Sequence, residues 1–310
     1  MECILLGSGG MMPMPHRLLT SLAVRHNGRI ILFDAGEGTQ LGWKKARLGY
    51  RALQMIAVSH LHADHCLGIP GLMMLRAQMS DPDPLTIVGP PGIEEFVNTV
   101  RRLLDFHMNY PVYFLEWNAS GGPVAYEDKD LKLMWHPLKH TRFCLGFRLE
   151  EKDRPGKFRA ARAKELGVPQ GPLWGKLQGG ESVSLEDGRT VCPHQVLGPS
   201  RRGRHIAYVV DTQPAKNVYE LCRGADLAFM EGMFLREEEE HARERGHMTV
   251  WDAARIARRA QVKEAVLVHM SPRYEDEDLG LFEAEAAAQF DRVRIGRDQA
   301  IYPVPLPADE

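Results

Sequence analysis

The sequence predicts an α/β layered domain interrupted by a basic insertion, and three observations carry that prediction. Short apolar runs closed by glycine or proline turns alternate with helical spacings over the first hundred residues. Histidines and aspartates stand repeatedly just past the ends of such runs. Residues 150–205 then change character, with dense glycine and proline and a local excess of positive charge. At 310 residues, 44% hydrophobic and 26% charged, the chain is ordinary for a globular protein and long enough for a two-sheet sandwich with an insertion. The formal net charge of -2 excludes nucleic-acid binding through overall basicity, so any such role needs a local patch.

Taken in order, residues 3–6 read as a first strand, broken by Gly7-Ser8-Gly9-Gly10. His26-Asn27-Gly28 reads as a hairpin turn between residues 19–25 and 29–33. Ile30-Ile31-Leu32-Phe33 lacks alternation, as a strand buried on both faces does. The turn Asp34-Ala35-Gly36-Glu37-Gly38-Thr39-Gln40 follows, and Asp34, ahead of Glu37, is read as a carboxylate that orients a ligand histidine. Residues 66–79 read as a helix with Met73 and Met74 in the core, 85–88 as a strand ended by Gly89-Pro90-Pro91-Gly92, and 93–106 as an amphipathic helix. Residues 131–135 form a strand running into His136-Pro137-Leu138-Lys139-His140. The proline argues for extended chain or loop there, with His140 the ligand candidate and His136 structural.

After the insertion, residues 206–210 are a strand ending at Asp211, 214–222 a helix, and 225–230 a strand ending at Glu231. The charge-dense residues 236–245 read as a solvated face. Thr249 with Asp252 makes a capping box, which places His247 just before a helix N-terminus, where backbone N–H groups favour anions. Residues 265–268 are the last clear buried strand, with His269 at its end.

In the insertion, seven Lys/Arg stand against three Asp/Glu from Glu151 to Gly180. It keeps Phe158, Leu166, Leu173, Trp174 and Leu177, which a purely flexible linker rarely does. It therefore reads as a protruding, partly ordered arm, basic enough to touch phosphates. The five cysteines are scattered and form no C-x-x-C, which argues for a reducing compartment and against cysteine-ligated zinc. With no basic leader and no apolar stretch near 18 residues, the expectation is a cytoplasmic protein with no membrane segment.

The chemistry concentrates at His60-Leu61-His62-Ala63-Asp64-His65, which follows the apolar run Ile56-Ala57-Val58. Imidazole and carboxylate donors at this spacing suit zinc first, with manganese or iron as alternatives. Adding the other strand-end residues gives a two-metal set: His60, His62 and His140 on one ion, Asp64, His65 and His269 on the other, and Asp211 bridging. Two ions about 3.5–4 Å apart clamp the attacking and leaving oxygens of an in-line displacement and lower the pKa of bound water.

The His60-Leu61-His62-Ala63-Asp64-His65 run resembles the signature of the metallo-β-lactamase superfamily. Its ribonuclease Z branch is resembled by Gly7-Ser8-Gly9-Gly10 with Thr20-Ser21, Phe33-Asp34-Ala35-Gly36-Glu37-Gly38-Thr39-Gln40, Pro137-Leu138-Lys139-His140, Pro169-Gln170-Gly171-Pro172-Leu173-Trp174-Gly175-Lys176-Leu177, Val210-Asp211-Thr212, Gly246-His247-Met248-Thr249 and His269-Met270-Ser271-Pro272-Arg273-Tyr274. The resemblance implies a four-layer αββα sandwich formed by residues 1–149 and 206–310, with 150–205 as an inserted flexible arm that grips tRNA. It implies two zinc ions per subunit and a homodimer acting on precursor tRNA. Metal-bound hydroxide would remove the 3′ trailer by in-line attack and leave a 3′-hydroxyl on the tRNA. Asp64 is implied as general base and His247 as the group that protonates the leaving oxygen or steadies the phosphate. Glu231 is the acid guessed to orient His247, and Lys157, Arg159, Gly171, Pro172 and Lys176 are the arm's candidate substrate contacts. Two other readings stand beside it: a superfamily phosphodiesterase or esterase for small molecules, and a non-catalytic tRNA-binding protein with a structural zinc.

Overall fold

The computed structural model describes residues 1–118 and 124–308. The chain divides into two compact units, one of Met1–Glu150 with His205–Pro305, the other of Glu151–Arg204 with the residues from Leu306 onward.

The first unit holds two sheets, each of seven strands among the described residues. In chain order the strands of both units are β1 (Glu2–Gly7), β2 (Ser21–His26), β3 (Arg29–Phe33), β4 (Leu53–Ala57), β5 (Leu85–Gly89), β6 (Val112–Glu116), β7 (Val124–Glu127), β8 (Leu131–Leu138), β9 (Cys144–Glu151), β10 (Val183–Ser184) and β11 (Thr190–Val191), these two in the second unit, then β12 (His205–Val209), β13 (Leu227–Glu231), β14 (Ala265–Val268), β15 (Val293–Ile295) and β16 (Ile301–Pro303). One sheet runs β16-β1-β2-β3-β4-β5-β6 and the other β15-β14-β13-β12-β9-β8-β7. The β2–β3 hairpin turns at Asn27 and Gly28, both at positive φ, as a two-residue turn matched to strand twist requires.

Burial explains the layers. Leu5, Leu22 and Phe33 of one sheet pack with Leu133, Phe147, Tyr208 and Phe229 of the other in one apolar cluster between the sheets. Ile4, Leu32 and Ile56 turn to the opposite face, against Trp43, Leu72, Met73 and Val97 of the helices beyond it. Ala207, Met230 and Leu267 meet Leu221, Ile256 and Phe282 of the helices Lys216–Cys222, Val250–Arg259 and Leu279–Ala287. Strands of both inner sheets are thus apolar on both faces, which is why their sequences read as continuous runs rather than alternations. The result is the four-layer αββα sandwich.

The arrangement also fixes where a site forms. β3–β4 and β12–β13–β14 are parallel pairs, so the carboxyl ends of each set share one edge. Polar residues following those ends collect there, as they do in other parallel sheets.

Two local expectations need correction. The helix expected over residues 66–79 begins earlier and is broken: Ala63–Cys66 is one short helix and Ile69–Arg76 another, so Asp64 and His65 sit on helical chain. Gly68 marks the break, where a Cβ would lie 2.2 Å from the Gly36 carbonyl oxygen. Met73 is buried, but Met74 is 36% exposed and lies outside the core. His136 and Pro137 belong to β8, which extends to Leu138.

The second unit is more regular than its glycine and proline content suggests. It has the helices Ala160–Glu165, Pro172–Gln178 and Pro193–Val196 and the hairpin β10–β11. Ala163, Val168, Leu177, Val183, Val191 and Val196 form its own small core, with Phe158 and Trp174 against it. The Trp174 indole donates to the Val168 carbonyl at 3.1 Å and stacks near Phe158, with centroids 5.0 Å apart. Lys157, Arg159, Gly171, Pro172 and Lys176 are all exposed.

Candidate metal centre

The strand ends bring seven sequence-predicted residues to one place: His60, His62, Asp64, His65, His140, Asp211 and His269. Their donor atoms fall into overlapping sets, each within 4.8 Å: His60, His62, His140 and Asp211 in one, and Asp64, His65 and His269 in another. Asp34, Asp211 and His269 each take a left-handed backbone conformation, with φ of 54°, 54° and 61°. Such conformations are uncommon outside glycine and gather at functional sites, because the surrounding fold must hold them. Here each turns the chain sharply just after β3, β12 and β14.

The ring nitrogens converge. His60 Nε2 is 2.8 Å from His62 Nδ1, His140 Nε2 is 3.5 Å from the same atom, and His65 Nε2 is 3.2 Å from His269 Nε2. Donors around one tetrahedral ion with about 2.0–2.1 Å bonds lie about 3.3 Å apart, so these spacings suit a shared cation. The outward nitrogens explain the convergence. His65 Nδ1 donates to Asp34 Oδ2 at 2.7 Å. His60 Nδ1 donates to Ser59 Oγ at 3.0 Å, and Ser59 Oγ donates onward to Asp34 Oδ2 at 2.8 Å. His140 Nδ1 donates to the Gly246 carbonyl at 3.0 Å. A proton committed to these acceptors leaves each Nε2 lone pair facing the centre. His269 differs, since its Nδ1 is buried with no partner among the described residues.

Asp34 is therefore the organising carboxylate. It is fully buried and also accepts from the Ser59 N–H at 2.7 Å and the Tyr208 hydroxyl at 2.8 Å. Glu37 is exposed and has no part in this network.

The charge balance suits cations. Burial holds His60 well below the usual imidazole range, with His65 adding to the effect, so it is a neutral donor. Burial also lowers His62, followed by the effect of His140. Burial opposes ionisation of Asp211, but the histidines around it, His269, His65 and His60, outweigh it and keep its carboxyl far below the carboxylate range. Asp211 Oδ2 stands 3.0 Å from His65 Nε2, yet it forms no hydrogen bond of acceptable geometry and is buried. A buried ionised oxygen without a partner is costly unless a cation takes it, so this donor set fits divalent metal.

His247 stands apart. One of its ring nitrogens also lies within 4.8 Å of donor atoms of Asp211 and His269, but its Nδ1 is 2.9 Å from Glu231 Oε2 and donates to it. Glu231 is fully buried, and its other oxygen accepts from the Thr212 N–H. Burial pulls the His247 imidazole down, but the charge and hydrogen bond of Glu231, with Asp211 and Asp64 beyond, raise it to about 9. His247 is thus a cationic group beside the metal donors, and its Nε2 makes no hydrogen bond among the described residues. Thr249 caps the following helix, its Oγ1 accepting from the Asp252 N–H at 3.2 Å.

His62, Asp64, His140, Asp211, His247 and His269 line one cavity of about 530 Å³. Phe234, His241, Arg245 and Arg273 also line it, and of these only Arg273 was marked in the sequence, within the run from His269 to Tyr274. His241 and Arg245 lie in the stretch read as a solvated face; Gly246-His247 directly after it was the one available signal. Asp64 Oδ2 accepts from the Met11 N–H at 2.7 Å, which ties the loop after β1 to the cluster.

Comparison with known proteins gives a consistent result. Residues 187–270 match the family described as "Beta-lactamase superfamily domain", and residues 1–99 the family described as "Anti-Pycsar protein Apyc1". The chain is 43% identical over 98% of its length to a protein of Treponema pallidum (strain Nichols) named "Ribonuclease Z", covering 97% of that protein. A protein of the same name from Treponema denticola is 41% identical, with 96% of each chain covered. Among solved structures, human tRNase Z, short form, superposes with a TM-score of 0.71 at 24% identity, covering 99% of this chain and 100% of that one, which shows the fold.

Proposed function

The chain belongs to the ribonuclease Z family, and on that premise we propose that the cluster at the strand ends is where it cuts precursor tRNA. It is a metal-dependent endoribonuclease of tRNA 3′-end processing. The observation that carries the site assignment is the convergence of imidazole nitrogens at 2.8–3.5 Å, with outward nitrogens of His60, His65 and His140 already committed to acceptors.

His60, His62 and His140 would hold one divalent ion, Asp64, His65 and His269 a second, and Asp211 would serve both. Zinc is the first choice for this donor set, with manganese or iron next. Bound there, the ions would neutralise phosphate charge and lower the pKa of water to supply hydroxide at neutral pH. Asp64, an acceptor-only carboxylate at the cavity, is placed to take the proton of the attacking water. His247 presents a cationic imidazole held by Glu231, so it stabilises charge growing on the phosphate oxygens and gives a proton to the departing 3′ oxygen. The tRNA would leave with a 3′-hydroxyl and the trailer with a 5′-phosphate.

The unit of Glu151–Arg204 is proposed as the tRNA exosite, with Lys157, Arg159, Gly171, Pro172 and Lys176 as contacts. Their exposure and the local positive charge support this. The enzyme is proposed to work as a homodimer, one subunit's arm serving the other's site, which light scattering tests. No helix of the described residues is long and apolar enough to cross a membrane. The free thiols of all five cysteines support a cytoplasmic placement.

The test replaces residues 155–180 by a short Gly-Ser loop. The expected result is loss of precursor tRNA cleavage with retained hydrolysis of bis(p-nitrophenyl) phosphate. Full cleavage of tRNA by the replaced protein would remove the exosite from the account. An intact protein that hydrolyses the small ester and ignores tRNA would favour a small-molecule phosphodiesterase.

A further inference from the structure

A second cavity lies beside the segments that carry the metal donors. The two segments that carry His60, His62 and His140 line two cavities in succession. His62, Ala63, His140 and Thr141 face the cavity already described. Leu61, Arg142 and Phe143 face a second cavity of about 300 Å³, rimmed by Pro90 and Pro91. On each segment the residues facing the second cavity adjoin those facing the first.

The second cavity has a defined chemistry. Phe143 is 37% exposed, with Trp135 edge-on behind it at 6.5 Å between centroids. Leu61 gives an apolar wall, held close to the Gly92 turn. Arg142 is exposed and makes no ion pair or hydrogen bond among the described residues. An aromatic face beside an uncommitted guanidinium matches an unpaired nucleotide, whose base stacks on the ring while its phosphate meets the cation. The cavity is too small for a folded RNA element.

We infer that this cavity is a subsite for the first nucleotide of the 3′ trailer, with its base against Phe143 and Leu61 and the phosphate on its 3′ side at Arg142, its 5′-phosphate being the one that is cut. The choice of trailer rather than tRNA rests on the proposed function. His247, assigned to the tRNA 3′ oxygen, lines the first cavity and not the second.

The test uses precursor tRNAs that differ only in one abasic nucleotide, placed either first in the trailer or last in the tRNA. The readout is the ratio of kcat/KM for the base-bearing and abasic substrates within one protein, so a partly inactive preparation cancels. The intact protein is expected to prefer a base at the first trailer position by roughly tenfold, as base stacking on an aromatic allows. F143A is expected to bring that ratio near one and F143Y to restore it. R142A is expected to lower both rates together and to flatten their salt dependence. Equal rates on both substrates by the intact protein, a ratio unchanged in F143A, or a ratio that responds only to the last tRNA nucleotide would overturn the subsite while leaving the cleavage reading intact. Failure to cut any precursor would overturn both.

Discussion

His247 Nδ1 donates to Glu231 Oε2 at 2.9 Å, and Glu231 is fully buried with its second oxygen on the Thr212 N–H. The pair makes His247 a fixed cation rather than a loose imidazole. Replacing Glu231 with Gln keeps the shape and removes the charge. The expected effect is a fall in kcat of about 10²-fold, within the range for general acid catalysis, with metal content retained. Protonated His247 is the active form, and Glu231 raises its pKa, so activity is lost as pH rises through that pKa. In E231Q the alkaline limb of kcat is expected at lower pH than in the intact chain. A limb in the same place would remove His247 from proton donation.

Asp34 governs two histidines at once, His65 directly and His60 through Ser59. D34N turns one acceptor oxygen into a donor and disturbs both tautomers. The expected outcome is metal affinity weakened about 10–100-fold, typical for loss of a partner behind a ligand histidine. Competition with a chromophoric chelator measures it; unchanged affinity would assign Asp34 to packing alone.

Gly10 has no room for a methyl group. A Cβ there would lie 2.7 Å from His269 Cε1 and 2.8 Å from its Nδ1. G10A is expected to push the His269 ring aside, reduce bound metal toward one ion per chain, and cut turnover by about 10²-fold, as misplacement of reacting groups does. Elemental analysis beside a rate measurement checks both; two ions retained at full rate would show that the loop yields instead.

Local pattern and distant contact account for what could be read in advance. Asp211 and His269 were visible because β12 and β14 are unbroken apolar runs, and the residue that ends such a run stands out. Thr249 was visible because its cap is a short-range contact. Glu231 remained a guess, since its link to His247 spans 16 residues and depends on how β13 meets the loop before the helix. The Met11 contact to Asp64 spans 53 residues and left no local mark. Arg245 and His241 were hidden among charges that are mostly exposed, as a solvated face is, although these two also line the cavity. In the insertion turn residues dominate the composition, so only the few apolar residues, Phe158, Leu166, Leu173, Trp174 and Leu177, hinted at the small core they join.

The central claim is that two divalent ions, held by the seven strand-end residues, carry the cleavage. Metal-free protein titrated with zinc, with bound metal and precursor tRNA cleavage followed together, tests it most directly. The expected result is no cleavage without metal, with activity reaching its plateau at two ions per chain, and a D211N variant that fails to reach either. Cleavage by the metal-free protein, or full activity at one ion per chain, would contradict the account.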